Sequence, residues 1–356
     1  MKLIRLNSFL YLFCILSAFA SCVQQTDSSV EDWNRTFINT KKLISEACLD
    51  RELILGRPFL IQYVDSSLLI YDDIGDSLFL LVDLKENDRV YRFGQKGEGN
   101  NEFLQVFAFC NMKSDSILGV YDAYKHELRE INLDKVKRGE MNFPVVFKDT
   151  LSSIKLSPTK YDAYLGLGFY ESNMLSLTDN SIGSKFFFEY PYKDSREKAI
   201  SNRLRGMAYQ GTLCSNRSLD KFLYAVCSAP IFMLFSVNKD GIEKTYELIG
   251  GYPNYVTEET GEYRSAPMSA DNKMSFTMAY ATDNYIYLLY SGKNFRDAGM
   301  DAFKANVIYQ LSWNGKPINK FETDYPLTNF CVSDNDDVLY ALADKGEVEL
   351  VQYTLK

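Results

Sequence analysis

The sequence predicts an all-β fold, a six-bladed β-propeller with blades of about four antiparallel strands. Three observations carry that prediction. The stretch 61–103 runs strand, turn, strand, turn, strand and then a Gly-rich exit, which is the plan of one blade. Units of similar make-up recur every 40–50 residues or so along the rest of the chain, with no long helical periodicity after residue 52. Aromatic residues make up 14% of the chain. Most of them fall inside the strand runs, where flat side chains fill the space between stacked sheets. A single sandwich of this length would exceed the usual size of one core, whereas blades pack only on their neighbours.

The chain opens on a targeting segment, expected over residues 1–21. Lys2 and Arg5 form its basic end, residues 9–16 its apolar core, and Ser17, Ala18, Ala20 and Ser21 its small-residue exit. The apolar core is too short to span a bilayer, which takes roughly 20 residues. Phe19-Ala20-Ser21-Cys22 resembles a lipoprotein box, which makes Cys22 the expected lipidation site. Residues 22–32 then read as a polar tether, and residues 33–356 as a single propeller domain. The formal net charge of -8 becomes about -10 once Lys2 and Arg5 leave with the signal. That balance argues against nucleic acid and anionic lipid surfaces as partners. The expected membrane link is the N-terminal lipid alone.

Residues 30–52 carry both helical and strand signals. Val30, Trp33, Phe37 and Ile44 fall near helical spacing, while 36–40 suits a strand. The first unit has apolar runs at 61–71, 78–84 and 89–93, separated by Asp, Ser, Gly and Asn residues that favour turns. The second spans 106–147, the third 154–190, the fourth 207–249, the fifth 276–321 and the last 327–354. Residues 193–205 form a charged loop or short helix. Residues 250–272 and 291–306 read as polar excursions. The last unit supplies only three strands. A fourth is expected from about 36–40, pairing beside 347–354, because a propeller left open would expose a strand edge.

Seven cysteines occur. Beyond Cys14 and Cys22, the five left are scattered, with no metal-ligand spacing. Cys214 and Cys227 are expected to lie too far apart along their strands for a disulfide. The single histidine, His126, sits where a turn meets a strand and reads as an exposed turn residue. The loop 94–99 has glycines but no Gly-Lys-Ser/Thr opening a helix, so it reads as a turn between blades rather than a phosphate cradle. The acidic groups Asp72-Asp73-Asp76 and Asp334-Asp336-Asp337 read as hairpin turns. The second of them lacks the Gly and Glu that complete a calcium loop. No metal and no cofactor is expected.

Gly56-Arg57-Pro58, Leu81-Val82-Asp83-Leu84 and above all Arg92-Phe93-Gly94-Gln95-Lys96-Gly97-Glu98-Gly99-Asn100-Asn101-Glu102-Phe103 resemble the TolB-like six-bladed propeller lipoproteins of Gram-negative bacteria, and NHL-repeat propellers use a related loop. Asn100 stands where that family usually has Pro. The resemblance implies the propeller fold and a lipid-anchored place in the cell envelope, on the periplasmic or surface side. It implies little about chemistry. The polar set Arg203, Arg205, Tyr209 and Gln210 precedes a strand expected near the propeller axis, and is the candidate ligand-binding set. The expected function is a non-enzymatic binding or scaffolding module, a monomer, for a protein, peptide or glycan. The alternative is a hydrolase or lyase acting on a carbohydrate or lactone, which the scarcity of histidine and the lack of a recognisable acid–base pair disfavour.

Overall fold

Strand character follows from which faces must be covered. Residues 68–71 and 78–82 are continuous apolar runs, and all of them are buried, because the middle strands of a blade are covered on both faces by neighbouring blades. The outer strand Arg89–Phe93 buries only Phe93. A computed structural model describes residues 24–26, 30–49, 53–85, 89–179, 183–260 and 263–356. The expected signal segment and Cys22 lie outside the described residues.

Six antiparallel blades follow one another along the chain, the last two joined in one sheet by a shared strand. Blade 1 holds Pro58–Val64, Ser67–Ile74, Ser77–Asp83 and Arg89–Phe93. The apolar run 61–71 is thus two strands rather than one. It folds back at Asp65 and Ser66, whose φ values of 43° and 55° make the tight turn that suits the twist of a hairpin. Blade 2 holds Val106–Asn111, Ile117–Asp122, Glu127–Asn132 and Val145–Lys148. Blade 3 holds Lys155–Pro158, Ala163–Leu167, Leu175–Asp179 and Gly183–Phe187. Blade 4 holds Gly211–Ser215, Lys221–Val226, Ile231–Val237 and Ile242–Ile249, and blade 5 begins with Phe276–Ala281, Tyr285–Tyr290 and Ala305–Ser312. The long strand Pro317–Val332 is shared. Its first part is the outer strand of blade 5 and its last part the inner strand of blade 6, which continues with Val338–Asp344 and Val348–Thr354.

The N-terminal segment runs outside blades 4 to 6 as a belt. Gln24–Thr26, within the expected tether, lies parallel to the outer strand of blade 4. The helix Val30–Arg35 then inserts Trp33 between blades 4 and 5. Thr40–Leu43 adds a parallel strand to blade 5. The strand that completes blade 6 is Glu46–Ala47, paired with Gln352 and Val351. Closure therefore comes from the N-terminal segment as expected, but not from residues 36–40. Asp324 fixes this register by accepting from the Ser45 amide at 3.1 Å and from the Tyr353 hydroxyl at 3.0 Å.

The core is a ring of apolar layers between adjacent blades. Leu60, Phe79 and Phe103 join blades 1 and 2, and Tyr121, Phe147 and Leu156 join blades 2 and 3. Leu165, Tyr190 and Tyr224 join blades 3 and 4, and Phe232, Phe276 and Leu288 join blades 4 and 5. A last layer with Ile61, Leu80, Tyr287, Phe330 and Tyr353 links blades 5, 6 and 1, closing the ring. The Gly-rich exit of blade 1 is structural. Gly94 has φ +75°, and a Cβ there would come within 2.4 Å of the Phe79 ring. Glu102 turns back to accept from the Gly99 amide at 2.8 Å, and Lys125 holds the Gly99 and Glu102 carbonyls.

Candidate functional site: the central channel and the upper loop face

Each blade runs its strands from inside outward. The blade-to-blade connections and the turns between second and third strands therefore lie on one face, here the upper. The first-to-second and third-to-fourth turns lie on the lower face.

The inner strands of blades 1 to 5 enclose a channel of about 70 Å³. At its lower end Gln62 donates to the Asn111 side-chain oxygen and to the Tyr280 hydroxyl, both at 3.2 Å. Asn111 donates to the Ser215 carbonyl at 3.1 Å. This network ties four blades across the axis. The lining includes Lys155 but no carboxylate. The volume suits a few waters and is far below the several hundred Å³ of a small-molecule pocket. Burial pushes the Cys110 thiol up, and that of Cys214 up to about 12. Neither thiol is therefore a ready nucleophile. Cys214 pairs with Leu223, and both Cys214 and Cys227 are free thiols.

The predicted set Arg203, Arg205, Tyr209 and Gln210 occupies the helix Asn202–Ala208 and its C-terminal end on the upper face. Asn202 fixes this helix to blade 3, donating to the Tyr170 and Asn173 carbonyls at 3.0 and 2.8 Å. Arg205 is buried. It donates to the Tyr190 carbonyl and to Glu189, both at 3.0 Å, and its guanidinium lies 5.2 Å from the centre of the Tyr192 ring. Tyr209 is also buried and donates to Glu197 at 2.9 Å, an acceptor shared with Tyr255 at 2.8 Å. Burial and the Glu197 charge push the Tyr209 hydroxyl up. Gln210 is exposed and donates to the Met207 carbonyl. Arg203 is exposed and borders a recess of about 490 Å³ with Ser152, Phe169, Glu171, Asn173 and Phe186. The four therefore share an element but not a pocket.

His126 sits in its turn at φ +54°, half-buried rather than exposed. Asp72 is buried, bonded to Arg92 at 3.0 Å and to the Gly56 amide at 2.8 Å. Asp122 does the same on blade 2, accepting from the Leu104 and Gln105 amides. The repeated Tyr-Asp at 71–72 and 121–122 is thus a signal for where a second strand receives the incoming connection.

The feature that sequence reasoning missed is the distribution of exposed apolar groups. Among the described residues, the exposed large apolar side chains lie on the upper face or its edge, apart from Ile38, Ile44 and Met141. They include Phe59 and Tyr124 near the channel mouth, Tyr192, Val256 and Met268 on the long connections, and Phe295, Met300 and Phe303 on the excursion of blade 5. That excursion is held in shape from within. Asn294 caps the short helix Phe295–Ala298 by accepting from the Asp297 amide at 2.8 Å. Ser291 bonds the Ala302 carbonyl at 2.6 Å, Lys293 bonds the Asp301 and Lys304 carbonyls, and Arg296 pairs with Asp271 of the neighbouring connection. An apolar loop kept rigid away from the core is pre-organised for contact.

Residues 36–335 match the model of the TolB-like 6-blade propeller-like family. No curated protein matches the chain. Many solved structures are similar in fold, among them two from Bacteroides. One is a proposed exported protein of Bacteroides fragilis, at 12% identity and a TM-score of 0.52, covering 88% of this chain and 98% of its own. The other is a member of the DUF4221 family from Bacteroides vulgatus, at 12% identity and a TM-score of 0.50, covering 89% and 96%.

Proposed function

Because the chain belongs to the TolB-like 6-blade propeller-like family, we propose that it is a non-enzymatic binding module, held in the cell envelope by lipid on Cys22, that presents its upper loop face to a protein, peptide or glycan. The observation that carries this reading is the run of exposed Phe295, Met300 and Phe303 on an internally braced loop, beside Val256 and Met268. Exposed apolar groups grouped on one face mark contact surfaces. The small channel carries no carboxylate pair among its described lining residues for the acid–base work of a hydrolase.

The triple variant Phe295→Ala, Met300→Ala, Phe303→Ala tests the reading. Exposed positions like these are expected to change stability by less than about 0.5 kcal/mol. Binding should fall about tenfold or more, measured against a glycan array and against envelope proteins captured on the immobilised chain. Met141→Ala, on the lower face, should leave it unchanged. Loss on the array assigns a glycan, and loss among captured proteins assigns a protein or peptide. Unchanged binding to both in the triple variant would overturn the assignment to this face. For the anchor, Cys22→Ser should move the chain from the membrane fraction to the soluble one. If the wild-type chain never takes up labelled fatty acid, the anchoring is wrong.

A further inference from the structure

Among the described residues, Lys155 is the one cation in the lining of the channel. It begins the inner strand of blade 3, at the upper mouth. Its ammonium donates to the Phe107 carbonyl of blade 2 and lies 6.0 Å from the centre of the Phe107 ring. An ammonium has three donors, and no other described residue accepts from this one. No carboxylate faces it from the channel. The other titratable groups in the lining, Cys110, Cys214 and Tyr280, are kept neutral by burial. Lys155 is half-buried, and that burial disfavours its charged form. A buried charge without a counter-charge is costly and is normally paired. On the neighbouring strand, the Thr212 hydroxyl has only the Met278 sulfur, at 3.9 Å, as a partner. A cavity of about 70 Å³ thus holds a cation with spare donors and an under-used hydroxyl.

We propose that the mouth of the channel binds a small monovalent anion, of chloride or formate size, on the Lys155 ammonium, in a lining that also carries the Thr212 hydroxyl. The cavity admits an ion of that size with a water and excludes a sugar or a nucleotide. Lys155 of blade 3 already bonds the Phe107 carbonyl of blade 2, so occupancy bears on the packing of those two blades. The site is separate from the loop face of the proposed function, and either assignment can fail without the other.

The test is competitive acylation of the amines with acetic anhydride at pH 8. The full chain is used in detergent, and each site is read by mass spectrometry. Burial pushes the Lys155 amine down to about 8. An anion favours the charged form, so it moves the group back up and lowers the free amine. If binding raises the value by about one unit, the free fraction at pH 8 falls from about half to about a tenth, and acylation slows about fivefold. Sodium chloride and sodium formate are compared with sodium gluconate at equal ionic strength, and exposed Lys148 is the internal reference. Slowing at Lys155 in chloride or formate but not gluconate supports the site and shows which ion it prefers. Equal rates in all three salts, or equal protection by gluconate, overturns it. Lys155→Met gives a second readout. A saturable rise of Tm with the protecting ion should vanish in the variant, and its persistence there would also overturn the site. The acylation test on the wild-type chain decides the matter if that variant does not fold.

Discussion

Replacing Trp33 by alanine is expected to destabilise the propeller by about 3–5 kcal/mol, the usual cost of removing a large buried aromatic side chain. Trp33 is 4% exposed. Its ring centre lies 5.0 Å from that of Phe37, 5.9 Å from Phe232, 6.0 Å from Phe276 and 4.7 Å from Tyr309. Phe232 belongs to blade 4, and Phe276 and Tyr309 to blade 5, so one side chain from the belt glues two blades together. The indole nitrogen is buried with no acceptor, so the loss is one of packing rather than hydrogen bonding. Asn34 adds a bond from the Tyr309 hydroxyl at 2.8 Å. Urea unfolding of the variant, in a Cys22→Ser background to keep it lipid-free, should show a lower midpoint for the whole transition. A change below about 1 kcal/mol would mean that residues 30–37 are an appendage rather than an integral piece of the body.

Asp336→Ala is expected to cost about 2–4 kcal/mol. Asp336 sits in the first turn of blade 6 at φ +60° and is nearly buried. Its carboxylate accepts from the Thr282 hydroxyl at 2.7 Å, the Tyr287 hydroxyl at 2.8 Å and the Asn284 side-chain amide at 2.8 Å, all on blade 5. Removing the acceptor takes their partner from three donors, two of them buried, and that penalty exceeds the modest net gain of any one bond. Tyr287→Phe removes one of those donors, so the double variant should lose less than the sum of the two single ones. Strict additivity in that cycle would contradict a shared network.

The blades were readable because their middle strands have to be apolar along their whole length. Residues 78–82 and 285–290 leave no other reading once the flanking turns are seen. The pairing that closes the ring was not readable. Glu46–Ala47 is two exposed residues long, and nothing in its composition differs from a loop. Its position is set by the tertiary contacts of Ser45 and Tyr353 with Asp324. The helix at 202–208 had a signal that points away from a ligand role for two of its candidates. Arg205 and Tyr209 are one helical turn apart and share a face, and that face is the one turned into the protein. Lys155, between Ile154 and Leu156 on an inner strand, also carries a sequence signal, a charge inside an apolar run. The grouping of Phe295, Met300 and Phe303 with Val256 and Met268 could not be seen in the chain, because their loops come together only when blades 4 and 5 pack.

The claim that this propeller works by contact through its upper loop face is tested most directly in cells expressing the full chain. A photo-crosslinking phenylalanine analogue is placed in turn at Phe303, Tyr325 and Met141, and the adducts are resolved by mass. The account predicts discrete adducts from Phe303 and Tyr325 on the upper side and none from Met141 on the lower. Adducts from Met141 alone, or the same adducts from all three positions, would contradict it.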